Sequence, residues 1–165
     1  ISRLITRLGS VNEIIMTKLA IENLKLREAY SSWISVSSRY SDLDPNEHVN
    51  NGAINSFFEE GRVNLRAERM AVLDKNILSG FALVRFTVEY LREIKYPGLI
   101  EVGTMVKKVG NTSYTLGQAL FRGTDCFSVA EAVTVFLNPN SKRLEPIDEH
   151  LREILNSLEC PIRDR

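Results

Sequence analysis

The chain has 165 residues, of which 44% are apolar and 25% are charged, a composition typical of one soluble globular domain. Its 21 basic residues balance 21 acidic ones, so it has no surplus of positive charge with which to bind nucleic acid or an anionic membrane. Charged residues interrupt every apolar stretch well before the roughly 20 consecutive apolar residues that a membrane-spanning helix needs. We therefore expect no nucleic-acid partner and no membrane span.

Cysteine and histidine are too scarce for several common kinds of site. Cys126 and Cys160 are too few for a disulfide framework or a structural zinc site, and they fit a reducing, cytoplasmic setting. His48 and His150 are the only histidines, so the H-E-x-x-H motif of zinc proteases cannot be formed, and we expect no metal site. The G-x-S-x-G and G-x-x-x-x-G-K motifs are also missing, which leaves serine hydrolases of the α/β type and P-loop enzymes without sequence support.

The N-terminal part of the chain has a helical pattern. Apolar residues recur at helical spacing between Leu4 and Leu19, which predicts an amphipathic helix. Charged residues run through this segment and argue against a secretory signal. We treat residues 1–30 as an N-terminal extension.

A strand, a polar turn and a long helix are predicted next. Residues 34–40 alternate as a half-buried strand does. Residues 41–50 form a turn rich in aspartate and asparagine, and Asn50 or Asn51 can cap the following helix. Residues 51–74 carry an apolar stripe at helical spacing and predict one long helix.

Gly61 lies on the apolar stripe of that helix, where glycine weakens a helix by about 1 kcal/mol relative to alanine. Close approach to a neighbouring element would offset this cost. Residues 146–158 predict a short final helix. Between the two helices, alternating runs separated by turns predict a meander of antiparallel strands at 81–92, 99–109, 112–123 and 127–137.

Together these elements predict an α+β fold in which a curved antiparallel sheet wraps around one long helix. The domain is expected to span residues 31–158, with residues 159–165 as a tail. Because such a sheet leaves an edge strand unpaired, we expect a homodimer formed by edge pairing, or a homotetramer.

The polar stretch 39–52 is the best candidate for chemistry, because loops of this kind often carry function. A helix start presents unpaired backbone N–H groups, which suit a carbonyl oxygen that becomes negative under attack. Asp44, ionised at neutral pH, could activate water or attack an acyl carbon directly. Composition alone favours a structural role, since aspartate and asparagine form Asx turns and caps and His48 could hydrogen-bond to the backbone.

Parts of this stretch resemble the signature of hotdog-fold thioesterases of the 4-hydroxybenzoyl-CoA thioesterase type. By the order of elements, the resemblance covers residues 33–155. The run Asp44-x-Asn46-x-His48 is also similar to the D-x-N-x-H motif of plant acyl-ACP thioesterases. The matching segments are Arg-Tyr-Ser-Asp-Leu-Asp at 39–44, His-Val-Asn-Asn at 48–51 and Phe-Phe-Glu-Glu-Gly-Arg at 57–62.

The resemblance implies roles for several residues at the start of the long helix. The family's catalytic aspartate falls on Asp44, and Asn46 and His48 would orient substrate or water. The backbone amide that polarises the carbonyl falls near Asn51, beside Gly52, and we assign both to substrate binding.

Coenzyme A would be part of the substrate and would enter at a subunit interface, so no separate cofactor is expected. Glu47 and Ile54 stand where many relatives have glycine and tyrosine, which puts the identity of the substrate in question more than the reaction. The phosphates of coenzyme A would meet surface cations, and the candidates are Lys107, Lys108, Lys142 and Arg143.

The resemblance therefore implies an acyl-CoA thioesterase that converts a fatty or aromatic acyl thioester to free acid and thiol. An acyl-ACP thioesterase is a close alternative. A hotdog hydratase or dehydratase would also use an aspartate and a histidine near the helix start, usually at a different spacing. A non-catalytic acyl-CoA-binding module would keep the fold without turnover.

Overall fold

The computed structural model describes residues 22–73, 80–138 and 140–160. Predictions for Leu4 to Leu19 and for most of the tail fall outside these ranges. The described elements are, in chain order, β1 (Ser32–Ser37), α1 (Asn51–Arg69), β2 (Phe81–Tyr90), β3 (Leu99–Val109), β4 (Ser113–Arg122), β5 (Asp125–Phe136) and α2 (Glu149–Asn156). No helix in this part of the chain is long and apolar enough to cross a membrane.

The long helix is confirmed, but it ends at Arg69 rather than at residue 74. Met70 leaves the helical region with φ −107° and ψ 0°, and a 3-10 turn over Ala71–Leu73 follows. The Met70 side chain is buried, which favours this turn back towards the core. The predicted apolar stripe therefore continues past the point where the helical hydrogen bonding stops.

The strands form a five-stranded sheet with the order β1-β3-β4-β5-β2 in the described chain, and every neighbouring pair is antiparallel. The predicted meander is right for β3, β4 and β5 but wrong for β2, which pairs with β5 at the far edge. The connection 91–98 is too long for a tight hairpin and crosses the end of the sheet. There the backbone N–H of Leu91 donates to the Phe127 carbonyl, 2.9 Å away.

The helix lies against one face of the sheet, and Gly61 is the point of closest approach. A Cβ atom added at Gly61 would lie 2.8 Å from Cγ1 of Val102 and 3.0 Å from Oγ1 of Thr104. The fully buried Gln118 donates from Nε2 to the Phe58 carbonyl of the helix at 2.9 Å. The predicted contact is therefore present, and the α+β arrangement with a sheet wrapped around one helix is confirmed.

The opposite face of the sheet, called here the outer face, is partly covered by residues 22–30. Leu24 and Tyr30 pack there against Met105 and Phe121 in a separate apolar cluster. A Cβ atom added at Gly103 of β3 would lie 2.7 Å from Cγ of Tyr30. The sheet consequently has apolar layers on both faces.

The final helix closes the core at the end of the sheet where α1 terminates. It spans Glu149–Asn156, shorter at both ends than the predicted 146–158. Asp148 sets its start by accepting from the Leu151 N–H at 2.8 Å, and Ser157 ends it. Leu151 and Leu155 are fully buried. After the helix, the Val106 N–H donates to the Leu158 carbonyl at 2.8 Å, so the chain continues along the sheet edge.

Candidate active site

The loop between β1 and α1 is anchored by Asp42, whose side chain is almost completely buried. Its carboxylate accepts from the Arg39 backbone N–H at 2.8 Å and from Nη2 of the Arg39 guanidinium at 2.8 Å. The hydrogen bond from the guanidinium holds the pKa of the Asp42 carboxyl below its ordinary value. Asp42 is therefore an ionised structural group, as the Asx-turn interpretation predicts.

Asn50 joins this anchor to the start of the helix. Its backbone N–H and its Nδ2 both donate to the Asp42 carbonyl, at 2.8 and 2.6 Å. Its Oδ1 accepts from the Ala53 N–H at 2.9 Å, so Asn50 rather than Asn51 is the cap. A helix has four N–H groups at its start without helical partners, and here those of Asn50 and Ala53 are bonded. The amides of Asn51 and Gly52 remain for an outside acceptor.

Asp44 holds a tight turn with one oxygen of its carboxylate. Oδ1 accepts from the Asn46 N–H at 2.8 Å and from the His48 N–H at 3.1 Å. The bond from the His48 N–H is the main cause that lowers the Asp44 pKa, so this carboxylate is ionised at neutral pH. Among the described residues no backbone N–H donates to Oδ2, and the Asn46 side chain is close enough to the carboxylate to help lower its pKa. The structural interpretation is thus correct for one oxygen, and the other is left for chemistry.

Glu47 completes the same turn in an unusual backbone conformation. Its φ is 63°, in the left-handed region that favours glycine. Its N–H donates to the Asp44 carbonyl at 3.0 Å. Glu47, which stands where many relatives have glycine, therefore has the backbone conformation that glycine adopts most easily.

His48 connects the loop to the segment between β2 and β3. Its Nε2 lies 3.1 Å from Oε2 of Glu93, and its side chain is 25% exposed. A backbone bridge pairs His48 with Lys95, and the Val49 N–H donates to the Ile94 carbonyl at 2.8 Å. Two stretches far apart in the sequence are thereby joined at the site.

These two stretches enclose a cleft of about 700 Å³, which we call the Asp44 cleft. The rings of Tyr40 and Tyr96 meet edge to face in it, with centroids 6.2 Å apart. Tyr40 is 78% exposed, so its ring is available to a ligand. The cleft is lined by Tyr40, Leu43, Asp44, Pro45, Asn46, Glu47, His48, Lys95 and Tyr96.

The structure brings together three of the predicted site residues: Asp44, Asn46 and His48 all line the cleft. Asn51 and Gly52 form the first turn of α1 and are not among its lining residues. Glu93, Lys95 and Tyr96 were not predicted as site residues, because in the sequence they fall just after the end of one predicted strand and in the turn that follows it.

The four predicted phosphate-binding cations lie away from the cleft. Lys107 forms an ion pair with Glu131 on β5. Lys108 lines a separate groove on the outer face of the sheet. Lys142 and Arg143 are exposed in the loop after β5. Their roles stay predictions.

The comparisons with known proteins agree with this fold. A family model described as the thioesterase-like superfamily matches residues 38–155, and the chain therefore belongs to this superfamily. The predicted resemblance and the predicted class, a thioester hydrolase, are both confirmed. No match was found among curated protein sequences.

Solved structures of similar proteins cover most of the chain. The PA5185 protein of Pseudomonas aeruginosa is 27% identical, with a TM-score of 0.73 over 84% of this chain and 98% of that one. A thioesterase from Thermus thermophilus, complexed with coenzyme A and Zn, is 28% identical, with a TM-score of 0.72 over 80% and 96% of the two chains. A predicted thioesterase from Bacillus stearothermophilus shares the fold at 24% identity and a TM-score of 0.72, over 79% and 98% of the chains.

The described residues contain no group of three or more histidine, cysteine, aspartate or glutamate side chains placed to hold a metal ion. The ionisable side chains that line the Asp44 cleft are those of Asp44, Glu47, His48, Lys95 and the two tyrosines.

Proposed function

We propose that this protein hydrolyses acyl-CoA thioesters, with Asp44 as the base or the nucleophile. One observation carries the proposal: an ionised carboxylate, fixed through one oxygen by two backbone N–H groups, lines the Asp44 cleft in a member of the thioesterase-like superfamily. Fixing one oxygen orients the other without a cost in side-chain entropy during the reaction. Asn46 and His48 line the same cleft and are proposed to orient substrate or water.

Two routes are consistent with this carboxylate. As a base, Asp44 takes a proton from water while the water oxygen bonds to the acyl carbon; the carbon–sulfur bond then breaks, and the proton passes to the leaving thiolate. As a nucleophile, Asp44 forms an acyl anhydride with loss of the thiolate, and water then hydrolyses the anhydride. Both routes end in free acid and thiol.

The helix start supplies a partner for the carbonyl oxygen in either route. The amides of Asn51 and Gly52 are left over by the Asn50 cap, and the helix dipole places partial positive charge there. We propose that they bind the oxygen as it becomes negative. Such donors typically contribute about 10²–10³-fold to kcat.

Coenzyme A is the proposed carrier of the acyl group, supported by the Thermus thermophilus thioesterase whose structure contains it. Tyr40 and Tyr96 offer apolar surface for a fatty or aromatic acyl group. A cytoplasmic location is proposed because the chain has only two cysteines, too few for a disulfide framework.

A screen of thiol release by the wild-type protein tests this proposal. The panel contains short, long, branched and aromatic acyl-CoA substrates and the matching acyl-ACP substrates. We expect at least one acyl-CoA to be cleaved with kcat/KM of about 10⁴ M⁻¹ s⁻¹ or more. Cleavage of acyl-ACP substrates alone would show that the carrier is acyl carrier protein rather than coenzyme A. Binding of acyl-CoA without thiol release from any substrate would contradict the proposed hydrolase activity.

We also propose a homodimer formed through β2, which is an edge strand of the described sheet. An edge strand carries a row of unpaired N–H and C=O groups, and β2 adds exposed apolar side chains at Leu83, Val84 and Tyr90. Sedimentation equilibrium should give twice the 18.7 kDa mass of the chain, or four times that mass for a pair of dimers. A monomer that persists at high concentration would rule out this pairing.

A further inference from the structure

A second cavity lies on the outer face of the sheet, away from the Asp44 cleft. It has a volume of about 440 Å³, and we call it the outer groove. Its residue Lys108 lies near the end of β3, roughly 30 Å along the strand from Leu99. Leu99 begins β3 just after the segment that lines the Asp44 cleft. The residues that matter for its chemistry are Arg85, Lys108, Gly110, Ser113, Thr115 and Val133, and no carboxylate is among its described lining residues.

The strand register sets these side chains in one row. Arg85 on β2 pairs with Val133 on β5, Val133 pairs with Thr115 on β4, and Thr115 pairs with Lys108 on β3. Directly paired residues of antiparallel strands share one face of a sheet. The row therefore has a cation at each end, with Cα atoms roughly 14 Å apart across three strand spacings. The Thr115 hydroxyl lies between them, and Ser113 follows on the same face of β4.

A β-bulge lies beside each of the two cations at the ends of this row. The register of β3 shifts between Val106 and Lys108, and that of β2 shifts between Leu83 and Arg85. A bulge adds an unpaired residue and re-aims the neighbouring side chain. At the β3 bulge Lys107 is neutralised by Glu131, whereas neither Lys108 nor Arg85 has an ion-pair partner among the described residues.

A further cation adds positive charge at the turn between β3 and β4. Nη2 of Arg152 donates to the Gly110 carbonyl at 3.0 Å, and Gly110 lines the outer groove. The groove thus combines guanidinium and ammonium groups with hydroxyl donors and has no competing acid on its described walls. Phosphate oxygens are the usual partners of this combination.

We propose that the outer groove binds the phosphate groups of a small molecule. The separation of roughly 14 Å between the Cα atoms of Arg85 and Lys108 suits an extended group with more than one phosphate better than a single small anion. Two sources share this chemistry. The ligand is either the coenzyme A portion of the substrate, which rests on the proposed function, or a free nucleotide that binds away from the Asp44 cleft.

Titration of the full-length protein with inorganic pyrophosphate, followed by ¹H–¹⁵N NMR, tests the groove independently of any reaction. We expect resonances of Ser113 and Thr115 to shift, and we expect Lys108→Met and Arg85→Met each to weaken binding about tenfold, since each loses a charge-assisted contact. Lys107→Met is the matched control, because it removes the same charge one residue away. It should weaken binding less than Lys108→Met does, because the Lys107 ammonium is already paired with Glu131 and only the unpaired carboxylate would repel the ligand.

Three results would overturn the proposal. They are no binding to the wild type, no loss on substitution of Lys108 and Arg85, and an equal loss with Lys107→Met, which would show only a general effect of net charge. All three variants change positions that are exposed in the single chain. Circular dichroism checks that they are folded, and sedimentation checks that Arg85→Met, on the proposed pairing strand β2, keeps the wild-type oligomeric state.

Kinetics with paired substrates then identify the source of the phosphate. For coenzyme A, Lys108→Met should raise the KM of an acyl-CoA about tenfold relative to the KM of the same acyl-pantetheine, which lacks the nucleotide. If the ligand is a free nucleotide, Lys108→Met should leave the ratio of the two KM values unchanged and should lower the affinity for ADP about tenfold. If the wild type releases no thiol, the proposed function is wrong. The pyrophosphate titration still tests whether the outer groove binds phosphate.

Discussion

Asp44→Asn should lower kcat for thioester hydrolysis by about 10²–10⁴-fold, the usual contribution of a positioned base or nucleophile. The substitution removes the negative charge but retains an oxygen that can accept the N–H groups of Asn46 and His48. The turn should therefore stay intact while the reactive group is lost. The measurement is thiol release under saturating substrate, compared with the wild type.

The control for this prediction is the thermal stability of two variants. Asp44→Asn should keep a Tm near that of the wild type, whereas Asp44→Ala also removes the acceptor of two backbone N–H groups and should lower both Tm and activity. Full activity of Asp44→Asn on every thioester that the wild type cleaves would show that Asp44 serves only the turn.

Gly61→Ala should destabilise the protein by about 1–3 kcal/mol, although alanine is the better helix former. The added Cβ would lie 2.8 Å from Cγ1 of Val102, a short β-branched side chain in a central strand that has little room to move. The free energy of unfolding in urea measures the loss. A variant as stable as the wild type would mean that the helix can shift away from the sheet at no cost.

Ala67→Gly provides the matched control, because Ala67 lies on the exposed side of the same helix. The reverse substitution there should cost about 1 kcal/mol through helix propensity alone. Gly61→Ala combined with Val102→Ala should then be less destabilising than the two separate losses predict, since the smaller side chain relieves the crowding.

Local patterns in the sequence predicted most elements of the fold. Alternation along β2 and the second half of β5, and the helical stripe around Gly61, reflect burial on one face, which is a property of each segment by itself. Strand pairing depends instead on how the connections run, so the meander was wrong for β2. Residues 91–98, which connect β2 to β3, carry no local signal that they cross the end of the sheet and leave β2 paired with β5.

The candidate site was predictable only in part for the same reason. Asp44, Asn46 and His48 are adjacent in the sequence, and the aspartate-rich turn and the family resemblance both pointed to them. Tyr96 joins them through the bridge between His48 and Lys95, a contact between segments nearly fifty residues apart. The contrast between Lys107 and Lys108 arises from a bulge, which charge and position in the sequence do not reveal.

The packing of residues 22–30 on the outer face limits how larger assemblies can form. Tyr30 sits so close to Gly103 that no second sheet can touch the backbone there. Two dimers stacked back to back would meet at the N-terminal segment rather than at bare strands. Any association of the proposed dimers through this part of the outer face would therefore depend on the side chains of residues 22–30.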